Sequence, residues 1–265
     1  MNGWRNRDFQ NNYHSKMSRI IFTFIVLEIL MISASFGQIA DERGYIVSIG
    51  DSVPKFGLEF TDGTQTTMND LRGNVVMLQF TASWCSVCRK EMPHIEKEIW
   101  RVYKNLGLVV IGIDRDEPVK TVRQFAKETQ ISYPLALDPD ADIFGLFSHK
   151  ESGVTRNVII NTEGKIVFLT RLFDPEEFEK MIQVIHSELE KLVNQEQNHL
   201  EPEKLSLESQ LTELDKSIQK KGNNKELQNT IQELKNNILE KVLRVKREEE
   251  KLHLRKEKLR EIKSS

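Results

Sequence analysis

The chain has 265 residues, and its 38 Lys and Arg against 40 Asp and Glu give a formal net charge of −2. It therefore lacks the basic field that phosphate backbones select, and nucleic-acid binding is set aside. All 13 Phe, 4 Tyr and 3 Trp fall at or before Phe178, which assigns the packed core to the first two thirds; the last 65 residues hold one Gly (Gly222) and one Pro (Pro202).

At the N-terminus, Lys16 and Arg19 precede the apolar run "IIFTFIVLEILMIS" (Ile20 to Ser33), small residues and "FGQ". Charged, apolar and small residues in that order mark a secretory signal. The run of about 14 residues is shorter than the roughly 20 that span a bilayer, and Glu28 interrupts it. Residues 1–37 are therefore expected to be a cleaved signal segment, with a retained anchor and a buried helix as the weaker readings. Met17 is an alternative start. The expected location is periplasmic or otherwise extracytoplasmic.

From Asp51 onward the pattern alternates between short apolar runs and amphipathic stretches. "FGLEFTDGTQTTMNDL" predicts a hairpin about Asp62-Gly63, since Asp-Gly between apolar residues favours a tight turn. "NVVMLQFTA" (Asn74 to Ala82) is a continuous apolar run, as in a strand buried on both faces. Met92, Ile95, Ile99, Val102 and Tyr103 then recur at helical spacing, followed by a second buried strand over Leu106 to Asp114. A helix opened by Pro118, a strand in "SYPLALD", a short helix in "DADIFGLFSH" and two strands about Glu163-Gly164 complete the pattern, and Asp174-Pro175 starts a last helix. Strands alternating with helices and ending in a hairpin indicate an α/β fold with a mixed sheet.

Beyond about Asn194 the character changes. Leu207, Leu211, Leu214 and Ile218 are spaced by four, three and four. After "KKGNNKE" the spacing resumes with Leu227, Ile231, Leu234 and Ile238, and Val245, Leu252 and Leu259 continue every seventh residue. Residues 200–263 are thus expected to form a coiled coil whose alternate seam positions decay to Lys241, Glu248 and Arg255. Gly222 and its Asn neighbours would allow an antiparallel hairpin within the chain; self-association through these helices is the other outcome.

The only cysteines, Cys85 and Cys88, lie in "TASWCSVCRKEMP" at the predicted start of a helix after a buried strand. A helix mouth offers unpaired N–H groups and a positive dipole end, which favour a thiolate, and Arg89 and Lys90 add positive charge. Cys85, at the exposed edge, is the expected attacking sulfur and Cys88 the resolving one. No distant cysteine exists to staple a fold, and a loop this small removes little chain entropy. A zinc site would need more ligands than Cys85, Cys88 and the nearby His94, so neither a metal nor another cofactor is expected.

The stretch from about Val47 to Leu192 resembles the extracytoplasmic thioredoxin-like proteins of the TlpA/ResA type, within the AhpC/TSA and thioredoxin superfamily. The resemblance rests on the Pro54 and Phe56 entry, "DLRG" before the central strand, "FTASWC" at the active site and "NTEGKIVFL" at the closing hairpin. It implies a thioredoxin-like fold, a mixed central sheet flanked by helices, over residues 45–193, and a thiol-disulfide oxidoreductase that acts on protein thiols and disulfides. A reductase supplied by a membrane electron donor is the favoured direction.

By the same resemblance Glu91 matches an acidic residue that tunes the cysteine pair, Pro93 matches a helix-kinking proline, and Trp84 is either substrate-facing or packing. Thr155 stands where such proteins carry a cis-proline; a cis bond before a non-proline residue costs about 3 kcal/mol, so a trans bond is expected there. Arg156 resembles the arginine that stabilises the reactive thiolate in peroxiredoxins. With Thr81 it supports a thiol peroxidase as one alternative function. A coiled-coil scaffold that carries the redox fold passively is the other.

Overall fold

The computed structural model of the protein describes residues 43–220 and 225–264. The expected signal segment, 1–37, and the turn at Gly222 lie outside the described residues. The Asp62-Gly63 turn joins β1 (Gly57–Glu59) to β2 (Gln65–Thr67) in an antiparallel ribbon, with Gly63 at φ 90°. At that angle a Cβ would be strained, which is why glycine holds the turn.

The apolar run forms β3 (Val75–Thr81), buried at all seven positions. It is flanked by β4 (Leu108–Arg115) on one side and β6 (Arg156–Ile160) on the other, in a five-stranded sheet of order β5-β4-β3-β6-β7 completed by β5 (Leu135–Asp138) and β7 (Ile166–Arg171). Strands β3, β4 and β5 run parallel, and β6 and β7 pair antiparallel, so the sheet is mixed as expected. Because the crossovers from β3 to β4 and from β4 to β5 step in one direction, their right-handedness puts both intervening helices on the same face.

Those helices are α1 (Ser86–His94) and α3 (Val119–Glu128). The single helix predicted after the cysteines is broken into three: α1, a π-helical stretch Ile95–Trp100 and the short α2 (Arg101–Tyr103). Pro93 sits inside α1. It has no N–H to give and its ring crowds the carbonyl four residues back, and the chain widens to a π turn just beyond it. The predicted short helix near residue 144 is reduced to a 3-10 turn, Phe144–Leu146, whose leading N–H groups are held by the Asp138 carboxylate: Ile143 at 3.0 Å and Phe144 at 2.8 Å. Phe144 and Phe147 pack on Phe80 and close the opposite face of the sheet.

α4 (Pro175–Lys220) is one 46-residue helix, so the change of character near residues 194–200 carries no break in the backbone. Its first turns bury Phe178, Met181, Ile185, Leu189 and Val193 against the domain. α5 (Lys225–Ser264) returns antiparallel along it, as the ion pairs Lys235–Asp215, Arg244–Glu203, Arg255–Glu196 and Lys263–Glu190 show by running in opposite order on the two helices.

The seven-residue seam of α5 is buried throughout, yet it meets two partners. Ile238 and Val245 pack with Leu207, whereas Leu252 and Leu259 belong to the larger buried cluster that takes in the domain core and the first turns of α4. Arg255, which breaks the apolar seam, ion-pairs with Glu196 at 2.5 Å and donates to the carbonyl of Leu106 at 2.8 Å. Beneath it lies Gly107 at φ 104°, where a Cβ would meet Leu192 Cδ2 at 2.7 Å and Arg255 Nη2 at 3.0 Å. Among the described residues, no helix is long and apolar enough to cross a membrane.

Candidate active site

Cys85 follows the C-terminal end of β3 and caps α1. Its backbone is extended (φ −85°, ψ 107°) and its Sγ accepts from the Cys88 N–H at 3.2 Å, which is the geometry of an N-cap side chain. The Cys85 thiol is lowered from 9.0 to about 6 by the hydrogen bond of the Cys88 thiol, the Thr155 hydroxyl and the N–H groups of Cys88 and Val87, against a partial burial that opposes ionisation. Donors converging on one sulfur thus supply the stabilisation. Arg89 instead donates to Ser83 O at 2.7 Å and pairs with Glu128 at 2.9 Å.

Cys88 is fully buried, and burial together with its bond to Cys85 drives its thiol far upward, so it holds its proton. One sulfur is ionised and the other is not. Thr155 Oγ1 lies 3.1 Å from Cys85 Sγ and 3.2 Å from Cys88 Sγ, between the two. No cis peptide bond occurs among the described residues, and Thr155 is reached in the ordinary trans chain. Its carbonyl accepts from Leu172 N at 3.1 Å, which ties the loop to the end of β7.

Glu91 projects from α1 onto the sheet and is 1% exposed. Asn157 Nδ2 donates to its Oε1 at 2.7 Å and Gln79 Nε2 to its Oε2 at 3.2 Å, while Tyr133 donates to Gln79 Oε1 at 2.6 Å. Burial raises the Glu91 carboxyl from 4.5 to about 7, the two amide donors oppose that rise, and the charge of Cys85 adds to it. Glu91 and Cys85 therefore titrate as neighbours across neutral pH.

The remaining predicted residues separate. Trp84 is 62% exposed beside Cys85 and presents its ring to solvent rather than to the core. Pro93 acts on the backbone alone. Arg156 is buried on the other side of the sheet, its guanidinium 4.5 Å from the Tyr45 ring and 5.9 Å from that of Phe144. Strand parity explains this: Thr155 and Asn157 face α1, so Arg156 between them faces away. His94 lies against Phe173 and pairs with Glu98 at 2.7 Å, away from the sulfurs. Thr81 Oγ1 donates to Met92 Sδ at 3.4 Å.

Three features of the site were not anticipated from the sequence. Gln79 and Asn157 hide within apolar strands; a polar residue inside such a run was the available signal. Glu117 takes both the N–H and the hydroxyl of Ser83, each at 2.5 Å, and so fixes the loop before Trp84 and Cys85. Asp114, opposite Thr81 in the parallel ladder, is fully buried and neither carboxylate oxygen has a hydrogen-bond partner among the described residues.

Burial and then the neighbouring Glu117 charge raise Asp114 from 3.8 to about 8. Between those values the native state holds a proton that the unfolded chain has lost, so stability falls with rising pH by about 1.4 kcal/mol per pH unit from this group. Glu91 acts in the same sense up to about 7, and Cys85 in the opposite sense from about 6 to 9.0. The difference between wild type and Asp114→Asn isolates the one residue. Urea denaturation is expected to show the variant gaining at least about 2 kcal/mol on wild type between about pH 5 and 8. A gap that stays constant with pH would mean that Asp114 is not the group taking up the proton.

The AhpC/TSA family model matches residues 49–169, ending before α4 begins. A thiol-disulfide oxidoreductase ResA of Bacillus cereus is 32% identical over 156 residues, which span 57% of this chain and 87% of that protein. ResA of Bacillus subtilis is 31% identical over 121 residues, 46% of this chain and 66% of its own. Among solved structures, the solution structure of a candidate protein disulfide isomerase from Bacteroides thetaiotaomicron is 58% identical, with a TM-score of 0.54 over 55% of this chain and 92% of that one.

Proposed function

Because the chain belongs to the AhpC/TSA family, among the ResA-type thiol-disulfide oxidoreductases, we propose that it reduces disulfides of exported proteins through the Cys85/Cys88 pair. The observation that carries this reading is the asymmetry of the two sulfurs: Cys85 at the mouth of α1 is lowered to about 6, and Cys88 beneath it is held as a thiol. Cys85 thiolate attacks a substrate disulfide, forming a mixed disulfide and releasing one substrate thiolate. Cys88 then attacks Cys85 Sγ, and the second substrate thiol leaves as the Cys85–Cys88 disulfide closes. Glu91, coupled electrostatically to Cys85, is the proposed buried group that adjusts the titration of the pair. Trp84 offers an apolar platform beside the nucleophile for the substrate chain.

The export signal read in residues 1–37 supports an extracytoplasmic setting, where a reductase needs electrons brought across a membrane; a membrane donor of electrons is therefore part of the proposal. Peroxide chemistry is less well supported, because Arg156 packs on Tyr45, on the face of the sheet away from the two sulfurs. Self-association through the C-terminal helices would have to use outward leucines such as Leu239, Leu243 and Leu254, since the seam is closed within the chain.

The direction of exchange is tested by equilibrating the protein in glutathione buffers. A reductase is expected to lie close to thioredoxin, at roughly −270 mV, so a buffer poised at about −230 mV should hold more than nine tenths of the pair as disulfide. A pair found mostly as dithiol in that buffer would be an oxidant.

A further inference from the structure

We propose that the Thr155 hydroxyl is a catalytic group of the exchange reaction, a proton carrier seated between the attacking and the resolving sulfur. The inference rests on the reading of Cys85 and Cys88 as the exchanging pair and adds to it the route taken by the resolving proton. Thr155 is 2% exposed and its Oγ1 is within 3.2 Å of both sulfurs, so bulk water does not compete for the position. A hydroxyl has one proton to donate and lone pairs to accept with, and can therefore serve both sulfurs at once. With Cys85 ionised and Cys88 protonated the polarity is set: Thr155 donates to Cys85, and its lone pair faces the Cys88 thiol.

This arrangement meets the need of the second step. Cys88 must lose a proton to attack, and burial opposes free ionisation of its thiol. In the mixed disulfide the substrate sulfur is about 2 Å from Cys85 Sγ, and the transfer requires it to lean far enough toward the loop to meet the Thr155 hydroxyl. The Cys88 proton passes to Thr155 Oγ1 as the hydroxyl's own proton passes to the departing substrate sulfur. The Cys88–Cys85 bond forms, the Cys85–substrate bond breaks, and the substrate leaves as a neutral thiol. Thr155 ends as it began, the protein has lost two electrons and the substrate disulfide has gained them.

The test uses the full-length protein carrying a preformed mixed disulfide on Cys85, with either an alkyl thiol (2-mercaptoethanol) or an acidic aromatic thiol (5-thio-2-nitrobenzoate) as the leaving group. Release by Cys88 is followed in wild type, Thr155→Val, Thr155→Ala and Thr155→Ser. Loss of the hydroxyl is expected to slow release of the alkyl thiol about a hundredfold, in the range of general acid–base catalysis, and release of the aromatic thiol far less, because it departs as an anion. Thr155→Ser should restore both. Equal slowing of the two leaving groups, not restored by Ser, would assign Thr155 a packing role and overturn the proposal, as would release within threefold of wild type for both Val and Ala. A wild-type protein that never releases either thiol would instead refute the exchange reading beneath it.

Discussion

Cys85→Ser is expected to lower the rate of disulfide exchange by at least about a thousandfold, because a hydroxyl at that position is neither ionised near neutral pH nor a comparable nucleophile toward sulfur. Cys88→Ser should behave differently. Its Cys85 still caps α1 and still receives the N–H groups of Val87 and residue 88 and the Thr155 hydroxyl, so the first attack proceeds. Without a second thiol the reaction stops there, and mass spectrometry should find one substrate molecule per chain linked through Cys85. In Cys88→Ala, by contrast, the Cys85 thiolate should titrate above that of wild type, since the Cys88 thiol is the largest single contributor to lowering Cys85 and alanine offers no donor in its place. Comparable exchange by both serine variants would dissolve the division of labour between the two sulfurs.

The second large effect concerns stability and leaves the chemistry alone. Leu252 and Leu259 of α5 are buried in the hydrophobic cluster that joins the domain core and α4, and Arg255 between them reaches the Leu106 carbonyl beside Gly107. Truncating a buried leucine to alanine typically costs 2–5 kcal/mol, so Leu259→Ala, at 1% exposure, is expected to lower unfolding free energy by about 3 kcal/mol. Cys85 lies at the other end of the parallel strands, some seven residues or roughly 23 Å away. Cys85 alkylation in the folded variant should therefore keep the wild-type pH midpoint. A Leu259→Ala protein as stable as wild type would show that α5 is not docked on the domain in solution.

Much of the fold was legible because its signals are local. A seven-residue apolar run, an Asp-Gly turn and a Pro-led helix each state their own structure. The cysteine pair was legible for the same reason, since three residues and a helix start are enough to place one sulfur over the other. What was not legible depends on parity and distance. Whether Arg156 or its neighbours face the sulfurs turns on a single residue of strand register, and the register assigns that face to Thr155 and Asn157. Gln79 of β3, Asn157 of β6 and Tyr133 of the loop before β5 are far apart in the chain, and only the assembled sheet brings the two amides to Glu91 and the phenol to Gln79. The tail shows a further limit. Its heptad spacing coincides with a buried face, but a pattern of apolar positions does not name the surface that covers it, and here the buried cluster changes between Val245 and Leu252 from one shared with Leu207 to one shared with the domain core and the first turns of α4.

The whole account depends on an ionised sulfur above a protonated one. Alkylation by iodoacetamide, resolved residue by residue with mass spectrometry between about pH 4 and 10, measures this directly on the reduced protein. Cys85 is predicted to react with a midpoint near 6, while Cys88 stays unmodified through the neutral range. Two cysteines reacting alike, both with midpoints near the ordinary thiol value of 9.0, would contradict it.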